Sequence, residues 1–554
     1  MPDHVTELNN YAFNGFSGVK NITLNPQTEH ISNYAFYGCR SLTSINLPSA
    51  ITSIGDAAFA NSGIKSLVIP PSVTSIGNYA FNGCTALTQL TIEEGDETLS
   101  LGYNYCYNTS YDNNEHPGRG LFYDCPLNSV FIGRMLDYGT QLRYGYSPFA
   151  NIETLTKARL GNPVTVIQSC LFYGCKSFKK IEYNSQCYPV GVGYYAFREC
   201  KSLTESDIIL PNSIEWIGEG AFQGCTSLVG YTIPNHVTHV YASAFRDCSN
   251  LANVIIKPSV KEIGNYAFNG CTALTQLTIE EGDETLSLGY NYCYNTSYDS
   301  NVYPGRGLFY DCPLNSVFIG RMLDYGTQLR YGYSPFANIE TLETARLGNL
   351  VTIIQVNLFR GCKAFTTINY NSNCKPTLVD NYAFAGCKSI VDGSNIIPSS
   401  VKTVGESVFR DSYNLEKITI PSKVTLIGQN SFSGCTKLSS VVSLATTPPS
   451  INANCFDADT YQTATLSVNT AAVSAYSNAT GWKNFSHIAG GGGQSGTIAG
   501  DVNGDGSVTA ADITALYDYM LNNDSSHLVN GDQTGDGLIT VADITTVYTV
   551  MLNN

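Results

Sequence analysis

Phenylalanine recurs through most of the chain, usually at steps of 22–25 residues, and the apolar positions around it recur with it. Downstream of Phe36, the residues Leu42, Ile45 and Leu47 form a run too short for a helix, and their alternation predicts a short strand with one buried face. One such strand cannot bury its apolar face, whereas stacked parallel copies share a continuous interior. The pattern therefore predicts a strand-rich solenoid of about 18 coils. The repeat phenylalanines are Phe13, Phe36, Phe59, Phe81, Phe122, Phe149, Phe172, Phe197, Phe222, Phe245, Phe268, Phe309, Phe336, Phe359, Phe384, Phe409, Phe432 and Phe456.

Two longer steps of 41 residues interrupt the repeat and predict insertions at about 96–120 and 283–307. Both insertions lie in copies of one segment, because Asn78–Leu155 recurs as Asn265–Leu342 with three changes. A recent internal duplication explains this match. The identity of the two copies therefore does not indicate which residues matter for function.

Tyrosine is concentrated around both insertions, since residues 96–146 and 283–333 hold 8 and 9 of the chain's 37 tyrosines. Several of them alternate along the chain, so that an extended backbone would place three rings on one face. Rigid amphipathic rings suit a binding surface, and a neighbouring arginine can reach a carboxylate or stack on a ring. The alternative is that the rings pack back onto the solenoid and the arginines are solvated turn residues. The candidate ligand patch comprises Tyr103, Tyr105, Tyr107, Tyr290, Tyr292, Tyr294, Arg119 and Arg306.

Twelve of the 18 cysteines occupy one slot, three residues after the repeat phenylalanine. So regular a position predicts an architectural role, in which buried thiols behave as small apolar groups in a stacked ladder. Disulfides between neighbouring coils are the alternative, although Ser62 and Ser412 would leave rungs of the ladder without a partner. No Cys-x-x-Cys spacing occurs, which argues against a zinc or redox site.

Composition and motifs narrow the function classes. The net charge of −15 disfavours a nucleic-acid partner, and no apolar run reaches the ~18 residues that a membrane span needs. We find no serine nucleophile elbow, phosphate-binding loop or metalloprotease motif. The sequence therefore predicts no enzyme and no catalytic residue, with an undetected hydrolase as an alternative.

The last hundred residues depart from the repeat. Residues from about 445 to 488 predict a cap on the solenoid, in which Trp482 and Phe485 cover the final coil. The glycines that follow are typical of a flexible linker. The predicted domains are a solenoid at 1–488, a linker at 489–497 and a separate module at 498–554.

Residues 500–554 contain eight aspartates and no Glu, Lys or Arg. Two 12-residue loops, Asp501–Asp512 and Asp532–Asp543, carry oxygen-bearing residues at the spacing of a calcium loop, with glycine at position 6. Carboxylates that converge in this way repel each other without a cation, so we expect two Ca²⁺ ions to be needed for folding. The predicted calcium ligands are Asp501, Asn503, Asp505, Ser507 (carbonyl), Asp512, Asp532, Thr534, Asp536, Leu538 (carbonyl) and Asp543.

The repeat motif I-G-x-x-A-F-x-G-C-x-x-L-x-x-I-x-[LI]-P resembles the leucine-rich repeats of BspA-like bacterial surface proteins. Good copies are Ile76–Cys84 and Ile217–Cys225, and the resemblance covers nearly all of residues 5–460. It implies an α/β leucine-rich-repeat solenoid with a parallel sheet. It also implies a secreted or cell-surface bacterial protein that adheres to a host matrix protein or to another polymer or cell-surface target.

The calcium loops resemble a type I dockerin, a small all-α calcium-binding module, because Asp replaces the EF-hand Glu at position 12 and two near-repeats occur. Each loop leads into a helix with an apolar stripe of Ile, Leu or Val, and Met. The resemblance implies docking onto a cohesin module through loop positions 10 and 11 and the adjoining helix face. The implied contact residues are Ala510, Ala511, Val541, Ala542, Tyr517 and Tyr548.

Together these features predict an extracellular protein-binding or adhesion module that is attached through a calcium-dependent dockerin to a cohesin-bearing complex or a cell surface. An accessory or structural component of a polysaccharide-degrading complex is the other alternative.

Overall fold

The structure is a computed structural model of the 554-residue chain. It describes residues 7–102, 120–139, 147–291, 306–325, 334–491, 500–503, 508–522, 528, 531, 533 and 539–553. Two compact units are formed, Met1–Leu274 and Thr275–Asn554. The predicted fold class is confirmed, since the chain is a parallel-sheet solenoid of about 18 turns with few helices.

Most coils of the first unit contain two short strands. The strands of this unit are β1 (Asn21–Thr23), β2 (His30–Ile31), β3 (Ser44–Asn46), β4 (Ser53–Ile54), β5 (Ser66–Ile69), β6 (Ser75–Ile76), β7 (Gln89–Ile92), β8 (Leu99–Leu101), β9 (Ser129–Ile132), β10 (Leu136–Asp137), β11 (Lys157–Leu160), β12 (Lys180–Tyr183), β13 (Gly191–Val192), β14 (Trp216–Ile217), β15 (Gly230–Thr232), β16 (His239–Val240), β17 (Asn253–Ile256) and β18 (Glu262–Ile263). A 3₁₀ helix spans Glu205–Asp207.

The longer strands of successive coils pair in parallel, in the order β5-β7-β9-β11-β12, with β1-β3 and β15-β17 as further pairs. The shorter strands form a second parallel ladder, β2-β4-β6-β8-β10, continued in later coils by β13-β14-β16-β18. Burial follows the predicted alternation, since Ile45 is buried between exposed neighbours in β3. Sequence patterning did not predict the second ladder.

The second unit repeats this arrangement. Its strands are β19 (Gln276–Ile279), β20 (Leu286–Leu288), β21 (Tyr290–Asn291), β22 (Arg306–Gly307), β23 (Ser316–Ile319), β24 (Leu323–Asp324), β25 (Thr344–Leu347), β26 (Ile353–Ile354), β27 (Thr367–Tyr370), β28 (Leu378–Val379), β29 (Asp392–Gly393), β30 (Thr403–Val404), β31 (Lys417–Ile420), β32 (Leu426–Ile427), β33 (Ser440–Ser443), β34 (Thr465–Val468) and β35 (His487–Gly490). The parallel ladders are β19-β23-β25-β27, β20-β24, β26-β28-β30-β32 and β29-β31-β33-β34-β35, whereas β21 and β22 pair antiparallel.

The repeat phenylalanines form the centre of the interior. Phe222 is fully buried, and its ring stacks on those of Phe197 and Phe245, with ring centroids 5.4 Å away on either side. Near-parallel aromatic rings at this separation attract one another beyond the effect of burial alone. Within each unit, the stack therefore links one coil to the next.

The cysteine slot lies beside this stack. The Cys248 thiol donates a hydrogen bond to the carbonyl oxygen of Phe222 in the preceding coil (3.1 Å), and Cys225 does the same to Phe197 (3.1 Å). Ser412, which replaces cysteine in the slot, donates through its hydroxyl to the carbonyl of Phe384 (3.2 Å). All cysteines of the described part are buried free thiols. At these positions the slot residue therefore combines a small volume with a hydrogen bond to the preceding coil, whereas Ile152 and Ile339 fill the same slot with apolar groups.

The coils end in a short mixed segment that contains helices α1 (Ala458–Thr463) and α2 (Val473–Asn478) and the 3₁₀ helices Thr470–Ala472 and Trp482–Asn484. Trp482 is fully buried, and its indole N–H donates to the carbonyl of Pro449 (2.7 Å). Both Trp482 and Phe485 pack against Phe456, the last repeat phenylalanine, at centroid distances of 6.0 and 5.1 Å.

Candidate calcium module and binding surfaces

Two helices follow the predicted calcium loops, α3 (Ala510–Asn522) and α4 (Val541–Asn553). They pack on each other around a small core. Its buried residues are Val502, Ala515, Leu516, Ile544 and Val547. The predicted apolar stripe is confirmed for Leu516 and Val547 but is wrong for Met520, which is exposed. Ala515 takes part in the core instead.

In the first loop, Asp512 closes the loop onto its own beginning. The carboxylate oxygen Oδ1 accepts hydrogen bonds from the backbone N–H groups of Val502 (2.8 Å) and Asn503 (3.0 Å). Asp512 is fully buried, and Asp501, next to Val502, is also buried. The structure thus brings position 12 onto the backbone of loop positions 2 and 3.

The second loop is closed in the same way. Asp543 is fully buried, and its Oδ1 accepts from the backbone N–H of Gln533 (2.7 Å). The side chain of Gln533 in turn accepts, through Oε1, from the N–H of Gly500 at the start of the first loop (2.6 Å). The two loops are therefore tied to each other through one glutamine.

Thr509 and Thr540, at position 9 of the two loops, belong to the site but were not among the predicted calcium ligands. The Thr509 hydroxyl accepts from the N–H of Ala511 (3.2 Å), while the N–H of Thr509 donates to Oδ2 of Asp512 (2.8 Å). Thr540 and Asp543 repeat this reciprocal pair at the start of α4. A capping arrangement of this kind fixes the first turn of a helix. Its signal in the sequence was a Thr-x-x-Asp spacing before each apolar run.

The described residues of the loops fit a bound cation. Asp501 and Asp512 are both buried, and residues 500–554 contain no Lys or Arg that could neutralise their carboxylates. Buried carboxylates need a compensating charge, and oxygen donors of this kind are the ligands that Ca²⁺ prefers. The other predicted ligands lie outside the described residues, namely Asp505, Ser507, Asp532, Thr534, Asp536 and Leu538.

The predicted cohesin-facing residues all lie on the surface, at the beginning or along one side of the two helices. Ala510, Ala511, Val541, Ala542, Tyr517 and Tyr548 are exposed. One turn after each tyrosine lies a leucine with most of its surface in solvent, Leu521 (77% exposed) and Leu552 (70%). Residues four apart share a helix face, so each helix presents a Tyr–Leu pair that sequence reasoning missed.

Most of the tyrosine patch lies outside the described residues, namely Tyr103, Tyr105, Tyr107, Tyr292, Tyr294 and Arg119. The backbones of Tyr290 and Arg306 lie in β21 and β22, and their side chains are likewise outside the description.

Two other tyrosines of the same enriched segments pack onto the coils. The hydroxyl of Tyr138 donates to the carbonyl of Ser169 (2.7 Å), and that of Tyr325 donates to the carbonyl of Val356 (2.8 Å). These two rings lie outside the predicted insertions and outside the candidate patch, whose role stays a prediction.

The parallel ladders and their apolar interior define a leucine-rich-repeat protein. A family model described as the BspA type leucine rich repeat region matches six stretches of the chain. The matched ranges are 1–114, 115–208, 143–275, 190–306, 298–391 and 354–483. Since they cover most of the chain, the protein belongs to the BspA-type leucine-rich-repeat family.

Residues 499–552 match the model of the dockerin type I domain. Dockerins of this type bind calcium and dock onto cohesin modules, so the chain is a protein-interaction module that carries a dockerin. Leucine-rich repeats and dockerins are both non-catalytic modules, and proteins that contain them are typically extracellular or on the cell surface. Within the part of the chain that the structure describes, no helix is both long enough and apolar enough to cross a membrane.

Several solved structures are similar to the chain. A leucine-rich repeat protein from Bacteroides ovatus is 20% identical, with 80% of this chain and 77% of that chain covered and a TM-score of 0.32. A leucine rich cell surface protein from Faecalibacterium prausnitzii is 22% identical, with 71% and 83% covered and a TM-score of 0.24. The pneumococcal vaccine antigen PcpA is 14% identical, with 88% and 84% covered and a TM-score of 0.25. No curated protein matches the chain.

Proposed function

We propose that this protein is a secreted or surface-displayed bacterial adhesion module whose solenoid binds a host matrix protein or another polymer or cell-surface target. A dockerin at 498–554, joined by the linker 489–497 to the solenoid and cap at 1–488, attaches it to a cohesin-bearing complex. The observation that carries the attachment is the paired closure of both loops by Asp512 and Asp543.

Two Ca²⁺ ions would occupy the loops. Asp501, Asn503, Asp505, the Ser507 carbonyl and Asp512 would hold the first ion. Asp532, Thr534, Asp536, the Leu538 carbonyl and Asp543 would hold the second. The cation supplies the positive charge that this segment otherwise lacks, and so couples metal binding to folding of the two helices.

Calorimetric titration of the chelator-treated full chain with CaCl₂ tests this proposal. We expect uptake of two ions. Asp512→Asn is expected to remove one of them, because an amide cannot supply the negative charge. The control is Asp518→Asn, which changes an aspartate of α3 outside the loop and is expected to leave both sites intact. A full chain that takes up no calcium would show that the proposal is wrong.

The exposed helix faces would form the cohesin-binding surface. It would comprise Ala510, Ala511, Val541 and Ala542 together with the two tyrosines, and we add the adjoining leucines. Apolar and aromatic side chains exposed on a small module are typical of a partner interface.

The matching experiment measures binding of the full chain to a panel of immobilised cohesin modules, with calcium and with chelator. We expect calcium-dependent binding that weakens at least about tenfold in the double variant Tyr517→Ala and Leu521→Ala. Tyr413→Ala, an exposed tyrosine on a coil of the solenoid, is the control. Binding that is unaffected by chelator, or equally weakened by the control, would contradict the assignment.

The tyrosine patch would contribute to binding of the solenoid to its target. The assay is saturable binding of the full chain to surfaces coated with extracellular matrix proteins. Because the patch is duplicated, the test variant replaces Tyr103, Tyr105 and Tyr107 and their three counterparts by Ala. We expect the binding to weaken, while cohesin binding is retained. Unchanged matrix binding would refute a role of the tyrosines.

A further inference from the structure

The outward face of the short-strand ladder changes character along the first unit. Its residues are small and polar on β4, β6 and β8, where Ser53, Ser75 and Ser100 lie in register, whereas β2 carries His30 at this position. On β13, β14 and β16 the corresponding residues are Gly191, Trp216 and His239, again in register. Neither the calcium module nor the tyrosine patch uses these residues.

The indole of Trp216 lies flat over Gly191. A Cβ atom built on Gly191 would meet the Trp216 ring atoms Cε2, Cζ2 and Cδ2 at 2.0, 2.3 and 2.4 Å. Because a side chain at this outward position points away from the sheet, three nearly equal distances place the ring across the glycine rather than on edge. One face of the indole therefore rests on the strand, and the opposite face is directed away from it. The residue is partly exposed.

Further aromatic groups border this ring. Tyr241, 41% exposed, stands almost perpendicular to Trp216, with ring centroids 6.5 Å apart and an interplanar angle of 76°. The ring of His239 is nearly parallel to that of Tyr241, with centroids 6.2 Å apart, and its Nδ1 lies 2.8 Å from the Thr238 hydroxyl. The result is a flat apolar floor with an aromatic wall and polar groups beside it.

The charged residues around this surface indicate which ligands fit it. Glu215 precedes Trp216, and Glu262 is in register with His239; both are exposed, as is Lys261. Two carboxylates against one ammonium, on a chain of net charge −15, disfavour a polyanion by repulsion. An uncharged ligand with a flat apolar face and hydrogen-bonding edges suits the surface best.

We propose that Gly191, Trp216, His239 and Tyr241, which we call the Trp216 platform, bind the pyranose units of an uncharged polysaccharide. One face of a pyranose carries mainly C–H bonds, which pack against an aromatic face, while its hydroxyl groups lie around the ring edge. The exposed indole face of Trp216 can pack against the C–H face of the sugar. Glu215, Thr238 and His239 can exchange hydrogen bonds with its hydroxyl groups. This site is separate from the proposed dockerin and tyrosine surfaces and does not depend on either.

The second unit offers an internal comparison. Its residues at the same places, 187 positions later, are Leu378, Thr403 and Leu426, which are in register on β28, β30 and β32. Leu378 stands where the first unit has Gly191, and Thr403 stands where it has Trp216, so these positions hold neither a glycine nor an aromatic ring. The corresponding substitution in this unit therefore serves as a matched control.

The test is native affinity electrophoresis of the full chain, with calcium, in gels that contain soluble β-glucan, xylan, galactomannan or galactan, and polygalacturonate as the charged comparator. We expect retardation by at least one neutral polymer, weakened at least about tenfold in Trp216→Ala. Gly191→Ala is also expected to weaken the retardation, since it keeps the indole but places a methyl group where the ring of Trp216 lies. Thr403→Ala is expected to migrate as the unmodified chain.

Fluorescence gives a second readout. Because Trp482 is fully buried, acrylamide quenching of the two-tryptophan chain reports mainly on Trp216, and the retarding polymer is expected to protect it. Trp216→Phe replaces Trp216→Ala should the latter fail to fold. The proposal is overturned if no neutral polymer retards the chain, if polygalacturonate retards it equally, or if folded Trp216 variants bind unchanged. Cohesin binding would survive any of these results.

Discussion

The phenylalanine stack allows a quantitative test of how the coils are held together. Phe222 is fully buried between two near-parallel rings, at interplanar angles of 3° and 12°. Replacing it by Leu keeps most of the apolar volume but removes both ring pairs, which at 0.5–1.5 kcal/mol each corresponds to about 2 kcal/mol. Replacing it by Ala also leaves a cavity, for which we expect a loss of about 3–5 kcal/mol.

The assay is guanidinium unfolding of the full chain in calcium, followed by circular dichroism, together with limited proteolysis to locate the opened coils. The control is Tyr194→Ala, an exposed aromatic of a neighbouring coil, which is expected to change the free energy of unfolding by less than about 0.5 kcal/mol. A loss below about 1 kcal/mol for Phe222→Ala would refute the view that the stack holds neighbouring coils together.

Further predictions concern buried polar groups and the first helix of the calcium module. In the native chain we expect a thiol reagent to modify rapidly at most Cys106 and Cys293, the two cysteines outside the described residues, whereas all 18 react after unfolding. Burial raises the pKa of most described thiols above the unfolded value. The free energy of unfolding should therefore be constant below about pH 8 and fall as the pH rises beyond about 9, where only unfolded thiols ionise; guanidinium unfolding at pH 7.5 and 10 measures this. Arg134 is buried and donates to the carbonyls of Pro70 and Pro71 (2.9 and 2.8 Å), so Arg134→Met is expected to lower the unfolding midpoint, with a loss of about 2 kcal/mol. Thr509→Ala removes a helix cap and is expected to cost about 1 kcal/mol, seen as a higher calcium concentration for half-saturation, whereas Thr514→Ala in mid-helix is its control.

The periodic part of the fold could be predicted because each coil repeats the same signal. An isolated Ile45 indicates little, but the same apolar position in many coils indicates a shared interior. The second ladder escaped prediction because a strand of two residues, such as Ser75–Ile76, is too short to show alternation. The thiol hydrogen bonds were missed for another reason: cysteine was treated as a small apolar group, and the acceptor carbonyl lies in the preceding coil.

The calcium loops were predicted from their spacing, since ligand positions in such a loop are set by a local backbone turn, and their individual ligands stay a prediction. Contacts between residues that are far apart in the sequence could not be predicted from local spacing. The side chain of Gln533 accepts a hydrogen bond from the N–H of Gly500, 33 positions away, and no local sequence pattern predicts such a bond. In the same way, Gly191 and Trp216 are 25 residues apart and meet only because parallel pairing places them side by side.

Most backbone hydrogen bonds and ring stacks of a coil connect it to its neighbours in the stack, while a few side chains such as Arg134 and Glu94 bond across two or three coils. This has a consequence for how such a chain can grow. The duplicated segment is offset by 187 residues, a distance that leads from Phe81 to Phe268 through seven whole repeats. Copying a block of complete coils reproduces most donors together with their acceptors, including the bonds from Asn184 to Glu94 and from Asn371 to Glu281. Genetic unequal crossing-over can thus extend the molecule in blocks of whole coils, and the copies can then diverge on their outer faces.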